Sequence, residues 1–480
     1  MIDPCVIHWF RRDLRLGDNT ALRAALQTTQ PVIPLFVLDP VLLKGERFSP
    51  SRMAFLLQGL VALDNGLKNH GTRLLVRLGK PQIILHDMIR ETGASALYAN
   101  RDYTPYAVKR DHEIAELLGI PVYLFDDLVL HAPGQELLTG SNKPYTVFTP
   151  FKKKWLDLPK PDADGGAIPG RQFHKLDGVD NNGIPSLKDL KITDTIVDLP
   201  PAGETHAKAR LKDFTSSAIF QYADGRDRLI AHPFADPAPR GTSYLSPYLR
   251  IGMLSPRQAY AAAHDALKNG DDAEDRRSVE IWISELAWRD FYHHILAYFP
   301  HVYERSFQED YERVEYRTDA EDLQRWKDGQ TGYPVVDAAM RQMNTVGWMH
   351  NRARMIVASF LTKDLLIYWR EGEKYFMQKL LDGDIAANNG GWQWSAGTGT
   401  DAQPYFRIFN PVSQSRQYDP NGDYIRHYVP ELRDLSEKDI HEPWKLTSPP
   451  KNYPPPMVDH GMARERTLDA FKAARKEKTL

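Results

Sequence analysis

Four segments of the chain bring polar and aromatic side chains together at spacings that can do chemistry. In Glu280–Tyr298, Glu285, Trp288, Arg289 and Tyr292 fall on one face of a helix, because residues three and four apart are neighbours there. Ile283, Ala287 and Phe291 point the other way, toward a core. A carboxylate, an indole and a guanidinium on one face form either a solvated surface with one half-exposed Trp, or a platform on which a flat base stacks while a polar group reads its edge. In Trp348–Phe360, Asn351, Arg354 and Met355 share a face opposite Ala353, Ile356 and Phe360. Asn offers a donor and an acceptor to a heterocycle and Met a polarizable contact; alone, the same face reads as a polar helix surface with a gap-filling Met. The stretch LDGDIAANNGGWQWSAGTGT, residues 381–400, is glycine-rich. Its Asp382 and Asp384 can accept from ribose hydroxyls or from Arg354. Asn388, Gly390 and Gly391 let backbone approach a flat ligand, and Trp392 and Trp394, two residues apart, diverge. Finally, GTSYLSPY (241–248) is a hydroxyl-rich turn ahead of a helix, which serves either as a plain cap or as a phosphate cradle.

The elements that must position these residues differ along the chain. Val6–Phe10, Val32–Leu38, Arg73–Val76, Ala96–Ala99 and Val122–Phe125 read as short apolar strands. Helical patterns lie between them, the clearest opening at Ser49 with Pro50 at the first helical position. This alternation predicts a doubly wound parallel sheet, which binds ligands at the carboxyl ends of its strands. Neither GxGxxG nor GxxxxGK[ST] is present. Residues 157–203 are rich in Pro, Gly and Asp. Beyond them the pattern is helical: 206–222, 255–268, 275–298, 335–343, 350–368 and 373–381. The reading is therefore an N-terminal α/β domain over 1–130, a connector over 131–205 and an all-α domain over 206–480.

The 61 basic and 63 acidic residues nearly cancel, so contact with nucleic acid requires a local basic patch. The one cysteine, Cys5, lies in an apolar run and fits a reducing compartment. Residues 1–10 show no signal peptide, no apolar stretch spans a membrane, and no Cys/His spacing suggests zinc. A cytoplasmic protein without metal is expected. Of the ten tryptophans, only Trp9 precedes residue 150. Core packing explains any single one of them; their grouping with Asn, Arg and Glu asks for more.

Seven ordered blocks carry a resemblance over nearly the whole length. They are HWFRRDLRLGDNTAL, GTSYLSPYLRIGMLSPRQ, ELAWRDFY, TGYPVVDAAMRQ, GWMHNRARMIVASFLTKDLLIYWR, DGDIAANNGGWQWSAGTGTDAQPYFRIFNP and YPPPMVDH. The chain resembles the DNA photolyase/cryptochrome family, and within it the class I cyclobutane pyrimidine dimer photolyases of microbes. The resemblance implies an α/β antenna domain, a connector and a helical domain that holds FAD. It implies light-driven repair: an electron passes from excited reduced FAD to a dimer flipped out of UV-damaged DNA, single- or double-stranded. A monomer is expected.

Carried over by position, Tyr222, Thr242, Ser243, Leu245 and Ser246 would cradle the FAD phosphates. Trp282, Asn351, Arg354, Asp382, Asp384 and Asn388 would surround its rings and ribose, with Arg354 paired to Asp382 and Asn388 near the flavin N5 atom. Trp288 and Trp394 would clamp the lesion, Glu285 would hydrogen-bond the thymine, and Asn351 and Met355 would line the base pocket, so that Glu285, Asn351, Met355 and Asn388 stand nearest the chemistry. Arg226, Arg289, Tyr292, Arg352 and Arg407 would face DNA or the pocket rim. For recharging the flavin, the family's three-tryptophan relay maps onto Trp392, Trp369 and, at the third position, Tyr316, while Trp326 corresponds to a different position. An exposed Tyr316 is expected to end the relay.

A (6-4) photolyase would carry His where this chain has Asn351 and Met355. A signalling cryptochrome differs at Asn388 and carries a long C-terminal extension. A DASH-type cryptochrome reads differently around AANNGGWQW and has Gln at Met355. A non-enzymatic flavin- or nucleotide-binding protein is the alternative from another class. As antenna, the segment Arg101–Tyr106 (RDYTPY) is closest to relatives that use 8-hydroxy-5-deazaflavin. FMN is an alternative. Folate is disfavoured, because the positions of its usual Glu and Cys-Lys contacts hold Ala107, Tyr303 and Glu304.

Overall fold

The computed structural model describes residues 4–163, 172–176, 179, 181–196, 198–229, 232–234 and 241–476. The chain divides into two compact units: Met1–Ala223 with Ser243–Pro300, and Asp224–Thr242 with His301–Leu480. These cuts fall at other points than the boundaries at 130 and 205 read from sequence.

The first unit holds a five-stranded parallel sheet in the order β3-β2-β1-β4-β5, with β1 at Val6–Phe10, β2 at Val32–Leu38, β3 at Leu75–Leu78, β4 at Leu97–Asn100 and β5 at Val122–Phe125. β1 and β2 are buried along their whole length, so they read as continuous apolar runs rather than alternating ones. β5, at the edge, is half-exposed. Helices Pro50–Lys68, Pro81–Thr92 and Pro105–Leu117 connect the strands, each with Pro in its first turn. Strand order reverses between β1 and β4. There the carboxyl ends open a cleft lined by Arg11, Arg12, Asn100, Arg101, Asp102, Asp127 and Leu128.

A buried ion network fastens helix Pro256–Asn269 to this sheet. Arg15 Nη2 and Arg257 Nη2 stand 2.6 and 2.7 Å from Asp127, and Arg257 Nε 3.1 Å from Asp18. Burial alone would raise the Asp127 carboxyl, but the two guanidiniums outweigh it and hold it well below the ordinary range. The 26-residue helix Ala273–Tyr298 belongs to the same unit and packs on Pro256–Asn269 and on Phe148–Asp157. The latter helix lies inside the stretch read as connector.

The second unit is helical and is built around a core that includes Trp326, Phe360, Trp369, Phe376 and Trp392. Two expectations change here. The run 350–368 is not one helix: α-helix ends at Ser359, a π-turn covers Phe360–Asp364, and Leu366 adopts φ 52°, a left-handed conformation that stops the helix. Conversely, the glycine-rich stretch after Leu381 forms the α-helix Ile385–Ala396, capped by Asp384 and closed by Gly397 at φ 75°. Packing overrides the low helix propensity of Gly390 and Gly391. No described helix is long and apolar enough to cross a membrane.

Candidate active site

In the first unit, Glu285, Trp288, Arg289 and Tyr292 are half-buried on the helix Ala273–Tyr298, as their spacing requires. Trp288 lies flat on Phe148, with ring centroids 3.6 Å apart and planes 10° from parallel, and Tyr292 stands at 5.5 Å. One indole face is therefore occupied by a residue that sequence reasoning left in the connector. Arg289, expected at the DNA rim, donates through Nη1 to the Leu128 carbonyl, and 15% of its side chain is exposed. That bond ties the helix to the segment that follows β5.

Asp290, next in sequence, was not foreseen. Its Oδ2 accepts from the backbone N–H groups of Leu130 and His131 at 2.9 and 3.1 Å and from Trp155 Nε1 at 2.9 Å. Burial lifts its carboxyl to about 6, outweighing Arg289 and the three donors. The folded value lies above the unfolded value of about 3.9. Its contribution to stability is thus complete below about pH 4 and is lost as pH rises through 6, by about 3 kcal/mol. Asp290→Asn keeps an acceptor but cannot titrate. The difference in thermal midpoint between wild type and Asp290→Asn should shift across pH 4–7; a constant difference would refute this.

The hydroxyl-rich turn precedes a short helix, Ser246–Ile251. Thr242 and Ser243 are half-buried, Leu245 is buried and Ser246 is exposed. Tyr244 adopts φ 52° and is buried, with the Arg210 guanidinium 5.8 Å from its ring. Arg210 Nη1 is buried with no partner, a second residue that sequence reasoning missed. Tyr222 and Trp282 are buried and pack on Phe214 at 6.1 and 5.4 Å.

In the second unit, Arg354 reaches Asp382 Oδ2 at 2.8 Å while its Nε donates to the Met349 carbonyl at 2.8 Å. The other Asp382 oxygen, Oδ1, is buried without a partner, as is the Trp392 indole N–H. Asp384 is committed in part to the helix: its Oδ1 accepts from the Ala387 N–H at 3.1 Å. Asn388 Nδ2 donates to the Glu373 carbonyl at 3.0 Å and to its carboxylate at 3.3 Å, which fixes the amide. Glu373, fully buried, is a further residue that sequence reasoning missed. Asn351 is exposed at the start of its helix, where His350 Nδ1 accepts from the Arg352 N–H at 3.1 Å. Burial, together with Arg354, Arg352 and Arg226 and against Asp227, brings His350 down to about 4, so it caps as the neutral imidazole. Met355 and Trp394 are half-buried. Arg352, expected at DNA, is paired with Asp227 at 2.7 Å and lies 4.4 Å above the Tyr418 ring. Arg226 is half-buried and Arg407 exposed.

Trp369 is fully buried; Tyr316 is half-buried, not exposed as expected, against the cluster of Tyr311, Val314, Leu366 and Phe471. The buried Asp382 oxygen with no protein partner, on the carboxylate paired with Arg354, suits a flat heterocycle bearing its own N–H groups. The residues present fit FAD. Among the described residues no cluster suits a metal ion.

Residues 6–166 match the DNA photolyase model and residues 282–473 the FAD binding domain of DNA photolyase. A deoxyribodipyrimidine photo-lyase of Vibrio cholerae is 42% identical over 97% of this chain and 99% of its own length. Among solved structures, a bacterial class III photolyase from Agrobacterium tumefaciens superposes with a TM-score of 0.89 at 38% identity, over 99% of this chain and 98% of its own. A cryptochrome from Synechocystis gives 0.87 at 29% identity, over 98% of this chain and 99% of its own. With both halves matched by their models and 42% identity along nearly the full length, the chain belongs to the DNA photolyase family.

Proposed function

We infer that this protein repairs cyclobutane pyrimidine dimers in UV-damaged DNA, using light and FAD. The observation that carries this is the 42% identity to a deoxyribodipyrimidine photo-lyase along both chains, joined to the Arg354–Asp382 pair and its unpartnered carboxylate oxygen. When bound, reduced FAD supplies one electron on excitation, and the dimer returns it after its two ring bonds open. The protein's part is to hold, orient and exclude water. Asp382 Oδ1 would accept from the heterocycle, Arg354 would balance the charge, and Asn388, fixed by Glu373, would offer its side-chain carbonyl to the ring edge. Tyr222, Thr242, Ser243, Leu245 and Ser246 would hold the phosphates, and Trp282 and Asp384 would lie at the rings and ribose.

Trp288 and Trp394 stack on the flipped bases. Flipping costs a few kcal/mol, least for a damaged pair, and stacking returns about 1–3 kcal/mol per base. Glu285 donates or accepts at the thymine edge, where its hydrogen bond strengthens as the base gains charge. Asn351 and Met355 line the pocket; Arg226, Tyr292 and Arg407 serve its rim, and their phosphate contacts make affinity fall with salt. As antenna we propose 8-hydroxy-5-deazaflavin in the arginine-lined cleft between the ends of β1 and β4, FMN and folate being the alternatives. The protein acts as a monomer in the cytoplasm, which the buried, reduced Cys5 suits.

The similarity to a cryptochrome gives the second reading, blue-light sensing without repair. Two measurements decide. Purified protein should release one FAD on denaturation, and its absorption spectrum names the antenna. The reduced protein should split dimers in irradiated DNA under blue light. Folded protein without flavin would sink the whole reading; flavin without repair would favour the sensor.

A further inference from the structure

The last step of flavin recharging has a better candidate than Tyr316. Ring contacts run from Trp369 to Tyr368, with centroids 5.7 Å apart, and from Tyr368 to Tyr316 at 5.1 Å. Tyr368 is thus in ring contact with both Trp369 and Tyr316. A phenol yields an electron readily only if its proton leaves with it, and the two tyrosines differ in where that proton can go. The Tyr316 hydroxyl donates to the Tyr311 backbone carbonyl at 3.3 Å, and an amide carbonyl is no base. The Tyr368 hydroxyl donates to both oxygens of the Glu312 carboxylate, at 2.9 and 3.0 Å.

Glu312 is held in place from the other side. Its Oε1 accepts from the Ser306 backbone N–H at 2.8 Å, and the Ser306 Oγ accepts from Trp369 Nε1 at 3.1 Å. Ser306 is fully buried. One residue thus couples the indole to be re-reduced with the carboxylate that would take the proton. Burial, and then Glu312 itself, raise the Tyr368 phenol above its ordinary value, with the Ser306 hydroxyl and then Arg370 opposing, so the proton is in place before the flash.

We propose that Tyr368 is the terminal electron donor of the relay, with Glu312 as the acceptor of its proton. The proposal rests on the reading of the chain as a flavin photoenzyme. The oxidant is the photoexcited oxidised flavin, which draws one electron through Trp392 and leaves Trp369 one electron short. Tyr368 passes one electron to Trp369 while its O–H bond breaks and the proton forms an O–H bond on Glu312. Trp369 returns to its closed shell, Tyr368 is a neutral radical, and an added thiol can reduce it. Tyr316 lies behind Tyr368 as packing.

The test uses holoprotein with oxidised FAD, flashed with blue light and followed by transient absorption and by electron paramagnetic resonance of samples frozen after the flash. Wild type should give a neutral tyrosyl radical whose formation slows in deuterated water. Tyr368→Phe should lose it and recombine faster, Tyr316→Phe should keep it, and Glu312→Gln should slow its formation at least several-fold with bound flavin unchanged. Loss of the radical in Tyr316→Phe, alone or together with Tyr368→Phe, would move the end of the relay to Tyr316 and overturn the proposal. A tryptophanyl radical as the last species in wild type would overturn it too, and wild-type kinetics in Glu312→Gln would remove Glu312. Dimer repair by wild type reduced with dithionite in the dark needs no relay. Failure there sinks the proposed function, whereas failure in the flash experiment sinks only the assignment of Tyr368.

Discussion

Gly372→Ala is expected to lower the thermal midpoint by several degrees and to remove most of the flavin photoreduction. In an ordinary helix the same change stabilises by up to about 1 kcal/mol. Here the sign reverses. A Cβ at 372 would lie 2.0 Å from Trp392 Cη2, and 2.5 and 2.6 Å from Cζ3 and Cζ2. The indole cannot retreat, because it is buried and packed edge-on against Phe376 at 4.9 Å and Trp326 at 6.0 Å. Overpacking of this kind costs about 1–3 kcal/mol. It also moves the one aromatic that sequence and position put first in the relay, and with it the indole N–H that the protein leaves unpartnered. A double variant separates the two effects. Gly372→Ala with Trp392→Phe removes the clash, so stability should recover, with a coupling of about 0.5–3 kcal/mol between the two sites. Photoreduction should stay lost. A raised midpoint with normal photoreduction in the single variant would show that Trp392 has room to move.

Most of the architecture was legible in the sequence, for identifiable reasons. The strands are short apolar runs, β1 and β2 buried along their whole length, and three of the helices between them start with Pro, so the parallel sheet announces itself; only the bounds of β3 and β4 moved, by two and one residues. The long helix Ala273–Tyr298 was readable because Glu285, Trp288 and Tyr292 repeat against Ile283, Ala287 and Phe291. What failed was local propensity. AANNGG lies outside the helical patterns read from sequence and is a helix, because Asp384 caps it and Trp392 anchors it in the core. The helix running from residue 350 stops early at a left-handed Leu366, for which the sequence has no glycine to give warning.

The site residues divide the same way. Arg354 with Asp382 could be foreseen from a resemblance that names both. Asp290, Glu373, Phe148 and Tyr368 could not, because each matters through a partner distant in sequence: Leu130 and Trp155, Asn388, Trp288, and Glu312. Arg289 and Arg352 show the reverse. The resemblance places both at DNA, whereas in the structure Arg289 donates to the Leu128 carbonyl and Arg352 is paired with Asp227.

Trp288→Ala should weaken binding to dimer-containing DNA by about 10- to 100-fold, the loss of one stacking contact worth about 1–3 kcal/mol, and leave binding to undamaged DNA nearly unchanged. The asymmetry follows from where the ring is. Phe148 covers one indole face at 3.6 Å, and the ring is half-buried. An undamaged duplex keeps its bases stacked in the helix and does not meet Trp288, while phosphate contacts bind both DNAs alike. The stack on Phe148 also preorganises the indole, so its rotamer entropy is lost on folding rather than on binding. Phe148→Leu should therefore weaken lesion binding less than Trp288→Ala does, but in the same direction, with undamaged DNA again unaffected. Trp288→Phe, which retains a π face of smaller area, should fall between wild type and Ala. Glu285→Ala behaves differently, because its hydrogen bond gains most once the base carries charge. Binding should change little and the yield of repair per absorbed photon should drop. Competition binding with and without irradiated DNA, at two salt concentrations, measures the first three. Equal losses on both DNAs would assign Trp288 to packing on Phe148, and an unchanged quantum yield would take Glu285 out of the chemistry.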